Sequence, residues 1–531
     1  MALDADLALP SDSPSLDPVD ALLNRFTHFG VELGLERITR LLAALGNPHQ
    51  QVSVLHVAGS NGKGSVCAYL SAVLMQAGYR VGRYTSPHLE HWCERIWLNG
   101  EDISVNALYS LLEEVVAAID PNYSSPTQFE VVTAAAWLYF ARQQVDVAIM
   151  EVGLGGRLDA TNVCDRPLVS IITSLSREHW QRLGPTLADI TREKAGILKP
   201  HCPAAIAPQP PEATAVLQAR LQELQCPAIW VQPAVDLGNG WAEWGREGER
   251  GGGGEGESGG ATLPLIPSSS HPLILSSPHL RHPNTPTLPP LSPSPSLSLP
   301  YPLPLPGAHQ LTNSAVALAA LHLLRLQGWA ISDADIQAGM AAAQWRGRMQ
   351  WVEWQGQRLL IDGAHNPAGA IALRQYVDQQ INQGDIAPQR WRDRLSSPIT
   401  WVIGMIGTKD HADVFRELLR EGDRLHLVPV PEHSPVDLEK LSTLAVQAQP
   451  ELAALHLHSD LWIALEAAFE NRDASDLPGA NSEAVFENRD ASDLPGANSG
   501  DAAPSVVLCG SLYLIGHFLK RCRSISAKNL A

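Results

Sequence analysis

Residues 52–65 have the sequence VSVLHVAGSNGKGS, which predicts a buried strand, a glycine-rich turn and the start of a helix. The run 52–58 is short, apolar and rich in β-branched residues, as is typical of a buried strand. In that context the turn from Gly59 to Ser65 points backbone N–H groups and a helix N-terminus at a place where phosphate oxygens can bind. Lys63 can reach the terminal phosphates of a nucleotide as a point charge. We therefore predict a phosphate-binding loop.

The loop departs from the strict Walker pattern at two positions. That pattern requires Gly where this chain has Val57, and Ser or Thr where it has Gly64. A plain turn between a strand and a helix is the alternative interpretation. The loop alone therefore predicts phosphate binding and no particular reaction.

Further apolar runs at residues 81–85 and 145–152 predict more buried strands, with helical patterns between them. This alternation indicates βαβ units and a parallel sheet. A second series of strands begins after Trp345 with LLIDGAHNP (359–367). We predict an α/β fold with a P-loop-type parallel-sheet ATPase domain, followed by a smaller Rossmann-like α/β domain.

Composition divides the chain further. A glycine-rich stretch and then a proline- and serine-rich stretch occupy residues 240–306, a composition typical of disorder. Residues 466–482 recur as 483–499 with one change, which indicates a duplicated surface segment too short for a repeat fold. The predicted units are a flexible arm (1–20), a first domain (21–345) with a disordered insertion (240–306), and a second domain (346–531) containing the duplication (466–499).

The overall charge and the cysteines exclude several classes of protein. The 531 residues include 38 basic and 56 acidic side chains, a net charge of −18, which argues against a nucleic-acid or anionic-membrane binder. The seven cysteines form no C-x-x-C pair, which argues against a disulfide framework or structural zinc. The N-terminus lacks a secretory pattern, and no run of about 18 apolar residues occurs. We expect a cytoplasmic protein.

Three residues outside the loop are candidates for a site. Glu151 ends the strand 145–152, and ligands of open α/β sheets bind beyond the carboxyl ends of strands. A carboxylate beside a phosphate loop is a natural Mg²⁺ ligand, although a surface glutamate is the alternative. His179 follows another apolar run, and a lone histidine is usually structural. Lys194 lies on a predicted helix, where a lysine is normally solvated.

Motifs along the chain resemble those of a known family. In order, they are AGSNGKGS (58–65), YTSPHL (84–89), ERIWLNG (94–100), TQFE (127–130), EVGLGGRLDATN (151–162), EKAGIL (193–198), HQLTN (309–313), WRGRMQ (345–350), DGAHNP (362–367) and GTKDHADVF (407–415). Together they resemble the folylpolyglutamate synthase/dihydrofolate synthase family within the Mur ligase superfamily. The motifs EVGLGGRLDATN and TSPHL point to the folate branch.

The resemblance implies a Mur-ligase-type ATP-binding domain over 21–345 and a C-terminal Mur-ligase-type glutamate ligase domain over 346–531. It implies an ADP-forming amide ligase that adds L-glutamate to dihydropteroate, to the γ-carboxylate of (tetrahydro)folate, or to both. The carboxylate would react through an acyl phosphate. We expect a bifunctional, monomeric enzyme. A monofunctional folylpolyglutamate synthase, or another Mur-type amino-acid ligase, is the alternative.

The resemblance also implies roles for single residues. The resemblance implies catalytic roles for Lys63, Lys194 and His365. Phe129 would lie near the pterin. ATP would contact Gly59, Ser60, Asn61, Gly62, Lys63, Gly64, Ser65, Asn313, Arg348 and Asp362. Two Mg²⁺ ions are expected, one held by Ser86 and Glu151, the other by Glu151, His179 and a carbamylated Lys194.

Two departures from the family pattern affect these roles. Ser60 stands where the family often has Thr, and SREHW replaces a common Leu-Asp-His order around His179. A second SSPHL string at 276–280 lies in the proline-rich insertion, so we interpret it as a decoy.

Other classes of protein fit the sequence less well. A nucleotide-dependent switch or transport ATPase is a competing interpretation, but the chain lacks the N-K-x-D and L-S-G-G-Q signatures. A degenerate binding protein is a third, and the retained Lys63, Glu151, His179 and Lys194 argue against it.

Overall fold

The computed structural model describes residues 18–29, 32–245, 299–382, 395–407, 410–431, 436–470, 486–487 and 505–529. Within these residues it contains three sheets and the helices that cover them. None of the described helices is both long and apolar enough to cross a membrane.

The first sheet has eight strands in the order β4-β3-β2-β5-β1-β6-β7-β8, and its six strands from β2 to β8 are parallel. The strands are β1 Val54–Ala58, β2 Val81–Tyr84, β3 Ile96–Leu98, β4 Glu101–Asp102, β5 Val147–Glu151, β6 Val169–Ile172, β7 Ala204–Ile206 and β8 Ala228–Trp230. The helices of this region are α1 Pro18–Leu23, α2 Glu36–Ala44, α3 Lys63–Gln76, α4 Val105–Ala117, α5 Gln128–Arg142, α6 Trp180–Leu183, α7 Leu187–Lys194, α8 Pro211–Glu223, α9 His309–Leu326 and α10 Asp333–Ala342.

Alternation along the central strands divides the core into two layers. Leu55 and Val57 of β1 pack into one apolar cluster with α3 and α9, whereas Val54 packs on the opposite face with α5. Successive side chains of a strand point to opposite faces, so a continuous apolar run is buried on both sides. The predicted parallel sheet is confirmed, and the structure shows that helices cover both of its faces.

A second sheet follows in the order β12-β13-β18-β14-β15-β16-β17. Its strands β13, β18, β14, β15 and β16 are parallel, with antiparallel strands at both edges. The elements are β12 Gln350–Trp354, β13 Gln357–Ile361, α11 Pro367–Asn382, β14 Ile399–Ile403, α12 His411–Leu418, β15 Arg424–Leu427, α13 Leu438–Ala448, β16 Ala454–Leu457, α14 Leu461–Glu470, β17 Phe486–Glu487, β18 Ser505–Cys509 and α15 Leu512–Asn529.

A three-stranded antiparallel sheet corrects the predicted insertion. Strands β9 (Val235–Gly238), β10 (Trp241–Trp244) and β11 (Leu299–Pro302) lie in the order β11-β10-β9, so both ends of the predicted disordered segment 240–306 are strands. Tyr301 is fully buried and its hydroxyl bonds Ser314 Oγ at 2.7 Å. The prolines of β11 are tolerated because an edge strand does not need every N–H group. The remainder of the insertion, including the decoy string, lies outside the described residues.

Two other predicted boundaries change. The predicted arm 1–20 ends in helix α1, where Val19 is buried and Asp20 Oδ1 accepts a hydrogen bond from Trp92 Nε1 at 2.9 Å. The first copy of the duplicated segment begins inside α14, where Ala467 and Ala468 are buried, so these residues do not form a surface loop. Most of the two copies lies outside the described residues.

Candidate active site

The glycine-rich turn links β1 to α3 in a conformation that only glycine fits. Gly62 has a φ of 88°, and a Cβ there would lie 2.2 Å from Oδ1 of Asn313. A Cβ on Gly59 would lie 1.8 Å from Oγ1 of Thr173. The turn therefore packs closely against the chain after β6 and against α9. This packing holds its backbone in one conformation.

Hydrogen bonds to the chain after β6 fix the loop further. The N–H groups of Ser60 and Asn61 donate to Ser174 O at 3.0 and 3.2 Å, and Ser60 Oγ donates to Ser176 O at 3.0 Å. The first N–H groups of α3 have no acceptor within the helix. These groups, beginning at Lys63, are the donors left for an anion.

Lys63 folds back over its own loop. Its Nζ donates to Gly59 O at 3.1 Å and to Ser60 O at 3.4 Å. Both acceptors are neutral carbonyls, so the ammonium charge remains available to phosphate oxygens at the start of α3.

Glu151 stands at the carboxyl end of β5 and is 4% exposed. The Ser86 N–H donates to its Oε2 at 3.4 Å, a long contact. Burial raises the pKa of Glu151 to about 7, although Lys63 and Arg348 act in the opposite direction. A buried carboxylate with so few donors is suited to bind a cation.

The side chains around Glu151 supply only part of the ligand set that a metal ion needs. Within the described part of the chain, no group of three or more His, Cys, Asp or Glu side chains could hold an ion. A cation on Glu151 would therefore need oxygens from a bound nucleotide and water. Mg²⁺ is commonly held in this way, by one or two carboxylates and substrate phosphates.

Lys194 is buried in an ion pair that the sequence did not predict. Its Nζ donates to Glu178 Oε1 at 2.7 Å and to Gly59 O at 2.8 Å, and the residue is 2% exposed. Burial lowers the pKa of Lys194, while Glu178 opposes that shift. Burial alone would raise the pKa of Glu178, but Lys194 and Lys63 lower it to about 2.

Lys194 therefore lies beneath the glycine-rich loop, and it is not the solvated helix residue that its helix predicts. As an ammonium it binds no metal, so the predicted role requires carbamylation. Glu178 is the residue that sequence reasoning missed. Its signal was present, because it occupies the acidic position of the Leu-Asp-His order that SREHW replaces.

His179 is the N-cap residue that precedes α6; it has a φ of 48° and lines a large cavity. The next residue, Trp180, donates from Nε1 to Asp410 Oδ1 of the second domain at 3.0 Å. The segment around His179 therefore connects the two domains at the edge of the loop.

The second domain approaches the loop through the turn after β13. Asn366 Nδ2 donates to Asn61 Oδ1 at 3.0 Å. The carboxylate of Asp362 accepts the N–H groups of Met349 at 2.8 Å and Ala364 at 2.7 Å. One oxygen of Asp362 therefore holds the turn that presents His365, and the other holds the chain just before β12. His365 lines the same large cavity.

Asn313 and Arg348 lie on either side of this junction. Asn313 packs against Gly62 and donates to Gln310 Oε1 at 3.1 Å. Arg348 lies beside Gly363, where a Cβ would be 3.3 Å from its Nη1. Asn313 therefore lies against the loop, and Arg348 lines a cavity together with Gly64 of the loop and Glu151.

The large cavity has a volume of about 710 Å³ and is lined by both domains. Phe129, at the start of α5, forms part of its wall and touches Gly153, where a Cβ would lie 2.6 Å from the ring. Glu130 holds this end of α5 in place by accepting from Thr127 N at 2.7 Å and Arg37 Nε at 3.0 Å. Ser86, His179 and His365 line the same space. The structure thus brings Phe129 and three of the predicted site residues around one interdomain cavity.

Comparisons with known proteins agree with this geometry. The family profile described as Mur ligase middle domain matches residues 57–232, and the one described as dihydrofolate synthetase, C-terminal domain, matches residues 349–521. A Bacillus subtilis dihydrofolate synthase/folylpolyglutamate synthase is 34% identical over 365 residues, which cover 68% of this chain and 75% of the relative. A probable dihydrofolate synthetase of Schizosaccharomyces pombe is 29% identical over 489 residues, covering 92% and 97%.

Among solved structures, Mycobacterium tuberculosis folylpolyglutamate synthase, complexed with ADP and AMPPCP, is similar with a TM-score of 0.69 and 25% identity. The match covers 94% of this chain and 98% of that structure.

Proposed function

Because the chain belongs to the dihydrofolate synthase/folylpolyglutamate synthase family, whose members are ATP-dependent amide-forming ligases, we propose that it joins L-glutamate to a pteroate or folate carboxylate. The single observation that supports this most is the arrangement around the glycine-rich loop. Glu151 and Gly64 of the loop line one cavity between the domains, and Ser86, whose N–H donates to Glu151, connects it to the adjoining 710 Å³ cavity. An acid, a nucleotide and an amine can be brought together at such a junction.

The nucleotide would bind across the glycine-rich loop. The residues Gly59, Ser60, Asn61, Gly62, Lys63, Gly64 and Ser65 would surround its phosphates, with Asn313 and Arg348 beside it. The similarity to a structure complexed with ADP and AMPPCP supports the binding of an adenine nucleotide. Asp362 would contact the nucleotide from the second domain, and its Oδ1 also holds the turn that carries His365 by accepting the N–H of Ala364.

Glu151 and Ser86 would hold a Mg²⁺ ion, which would neutralise charge on the phosphate oxygens. A second site would use Glu151, His179 and a carbamylated Lys194. Carbamylation would need Lys194 to leave the ion pair with Glu178. Activity that does not respond to removal of CO₂ would exclude the carbamate, whereas rescue of Lys194→Ala by a short carboxylic acid would support it.

The reaction requires two displacements. A carboxylate oxygen of the acceptor attacks the γ-phosphorus of ATP, the bond to the β-phosphate oxygen breaks, and ADP leaves. The glutamate nitrogen then attacks the acyl carbon and loses a proton, and the carbon–oxygen bond to phosphate breaks. Lys63 would neutralise charge on the transferring phosphoryl group, and no side chain needs to act as a nucleophile. Contact between the domains would exclude water from the acyl phosphate.

The acceptor would lie in the large cavity, with its pterin near Phe129. We propose that dihydropteroate and tetrahydrofolate are both accepted, since the Bacillus subtilis relative is named for both activities. The profile match over 349–521, described as dihydrofolate synthetase, favours dihydropteroate as one acceptor. We further propose a monomer in the cytoplasm, which the seven free cysteines support.

An assay with both acceptors tests the proposal. ATP and labelled L-glutamate are incubated with dihydropteroate or tetrahydrofolate, and the conjugates and ADP are quantified. Product with both acceptors is expected. Product with tetrahydrofolate alone would indicate a monofunctional folylpolyglutamate synthase. Product with neither, but with a UDP-sugar peptide, would indicate a different Mur-type ligase.

A further inference from the structure

A chain of side-chain hydrogen bonds connects the glycine-rich loop to the second domain. Asn366, in the turn after β13, donates from Nδ2 to Oδ1 of Asn61 at 3.0 Å. Asn61 in turn donates from Nδ2 to Oγ of Ser176 at 3.2 Å, in the segment after β6. We propose that Asn366 is a positioning residue, which holds the glycine-rich loop in a fixed place relative to the second domain through the side chain of Asn61.

The contacts of the two amides determine which way each one points. Oδ1 of Asn366 accepts the N–H of Gly369 at 2.8 Å, in the first turn of α11. Because a backbone N–H can only donate, the oxygen of Asn366 must face α11, and its NH2 group is left to face Asn61. Asn61 must then present its oxygen to Asn366 and its NH2 group to Ser176. The direction of the whole chain of bonds is therefore set by the start of α11.

The Asn61 side chain is attached to the part of the loop that would meet phosphate. Asn61 is followed by Gly62, which has a φ of 88° and precedes α3, and then by Lys63, the first residue of α3. A shift of Asn61 would therefore move the N–H groups at the start of α3 and the ammonium group of Lys63.

On the side of the second domain, Asn366 joins two functional parts. It directly follows His365, which lines the 710 Å³ cavity, and its oxygen supports the first turn of α11. Asn366 is only 7% exposed, so water competes little for the bond to Asn61. This one bond therefore relates the position of the glycine-rich loop to the position of His365.

Other contacts hold the domains together without this bond. Leu89 packs so closely against α15 that a Cβ on Gly516 would lie 1.7 Å from the Leu89 carbonyl oxygen. Glu90, the next residue, forms an ion pair with Arg346. Loss of the amide bond should therefore disturb the loop locally and leave the two domains in contact.

Asn366→Ser separates the contact with the loop from the support of α11. Serine is as good as asparagine at a helix N-terminus, so its hydroxyl can still accept the N–H of Gly369, but it is too short to reach Asn61. Amide hydrogen exchange of the protein without nucleotide, followed by mass spectrometry, should become about fivefold or more faster over residues 59–65. Exchange in α11 should stay at the wild-type rate.

Asp437→Ser is the matched control. Asp437 is the N-cap residue of α13 in the same domain, where its side chain accepts the N–H groups of Glu439 and Lys440. Its replacement changes a helix N-terminus on a surface that is 47% exposed at Asp437. Exchange over residues 59–65 should equal that of the wild type in this variant.

Asn61→Ala tests the same bond from the first domain, and it serves if Asn366→Ser does not fold. Exchange over the turn 362–366 should become faster in Asn61→Ala. In the double variant, Asn366→Ser should change the exchange of residues 59–65 less than twofold further, because its partner is already absent. Unchanged exchange across the bond in either folded single variant, or independent effects that multiply in the double variant, would overturn the inference.

Turnover gives a further readout, which rests on the ligase function proposed above. Asn366→Ser should lower kcat about tenfold, because the loop is displaced from the second domain, while the KM for ATP should change less than threefold. An unchanged kcat would exclude a role for Asn366 in the reaction. Failure of the proposed function would look different: wild-type protein would incorporate no glutamate with any acceptor, and the exchange rates would still decide whether Asn366 holds the loop.

Discussion

Lys63 is the residue on which the phosphate chemistry depends most directly. Its ammonium group donates hydrogen bonds to two loop carbonyls, which hold the group in position. Because both carbonyls are neutral, they do not cancel its positive charge. Lys63→Ala should lower ATP-dependent glutamate incorporation about a hundredfold or more, because the positive charge that would neutralise the transferring phosphoryl group is lost. Thermal unfolding should be little changed.

Lys440→Ala is the control for the Lys63 variant, since the Lys440 side chain is 82% exposed in the second domain. Its turnover should equal that of the wild type. Near-normal turnover of Lys63→Ala would exclude the loop as the phosphate site.

The buried ion pair of Glu178 and Lys194 should contribute to the stability of the fold. Glu178→Gln removes the negative charge and leaves a buried ammonium, which should cost about 3–5 kcal/mol of the free energy of unfolding. Urea denaturation followed by circular dichroism measures this loss.

The matched control is Glu193→Gln. Glu193 pairs with Arg157, whose side chain is 56% exposed, so the loss there should be about 1 kcal/mol or less. Equal small losses in the two variants would show that the Glu178 pair contributes nothing beyond a surface contact.

Some of these residues could be predicted from sequence and others could not. Glu151 and Lys63 follow from the position of a strand end and a glycine-rich turn, which local patterns indicate. The buried position of Lys194 depends on Gly59, which lies 135 positions away in the chain and meets it only through the fold. A single sequence gives no local signal for such a contact.

At the scale of elements, the three-stranded sheet of β9, β10 and β11 indicates that most of the insertion 240–306 is dispensable for activity. Trp244 and Leu299 are register partners at the open end of the β10–β11 pair. Replacing residues 245–298 by an Asn-Gly turn should therefore leave kcat within about twofold, because a two-residue turn suits such a pair. Steady-state kinetics provide the measurement.

A longer deletion serves as the comparison. Removing residues 241–302 also removes the fully buried Tyr301 and should lower thermal stability strongly. If the shorter deletion were as damaging as the longer one, the insertion would be more than a connection between two strands.

Two buried histidines, one on β15 and one just after β16, should make the stability of the second domain depend on pH. His426 and His458 bond each other at 2.9 Å, and burial lowers the pKa of His458 to about 4 and that of His426 well below 6.5. Because the unfolded histidines have a pKa of about 6.5, the unfolded chain binds protons first as the pH falls. Stability should then be lost between about pH 6.5 and 4.

Urea midpoints at pH 7.5 and 5 measure this loss. The double variant His426→Gln with His458→Gln is compared with the wild type, so that other titrating groups cancel. A smaller loss in the variant is expected, and an identical loss would exclude the histidines as the cause.

For the whole molecule, the α/β fold could be predicted because buried strands and helices leave local patterns. The meeting of the two domains could not. Asn61 and Asn366 are 305 positions apart and bond at 3.0 Å, and Trp180 reaches Asp410 in the same way. Both contacts join the second domain to the first beside the glycine-rich loop, so the site belongs to the assembled chain and not to either domain alone.

We propose that the two domains act together to activate a carboxylate by phosphoryl transfer from ATP. Dihydropteroate labelled with ¹⁸O in its carboxylate, ATP and L-glutamate are incubated with the enzyme, and the released phosphate is analysed by mass spectrometry. An acyl phosphate predicts one ¹⁸O atom in the phosphate for each amide formed. Amide formation with unlabelled phosphate, or with AMP and pyrophosphate as products, would contradict the account.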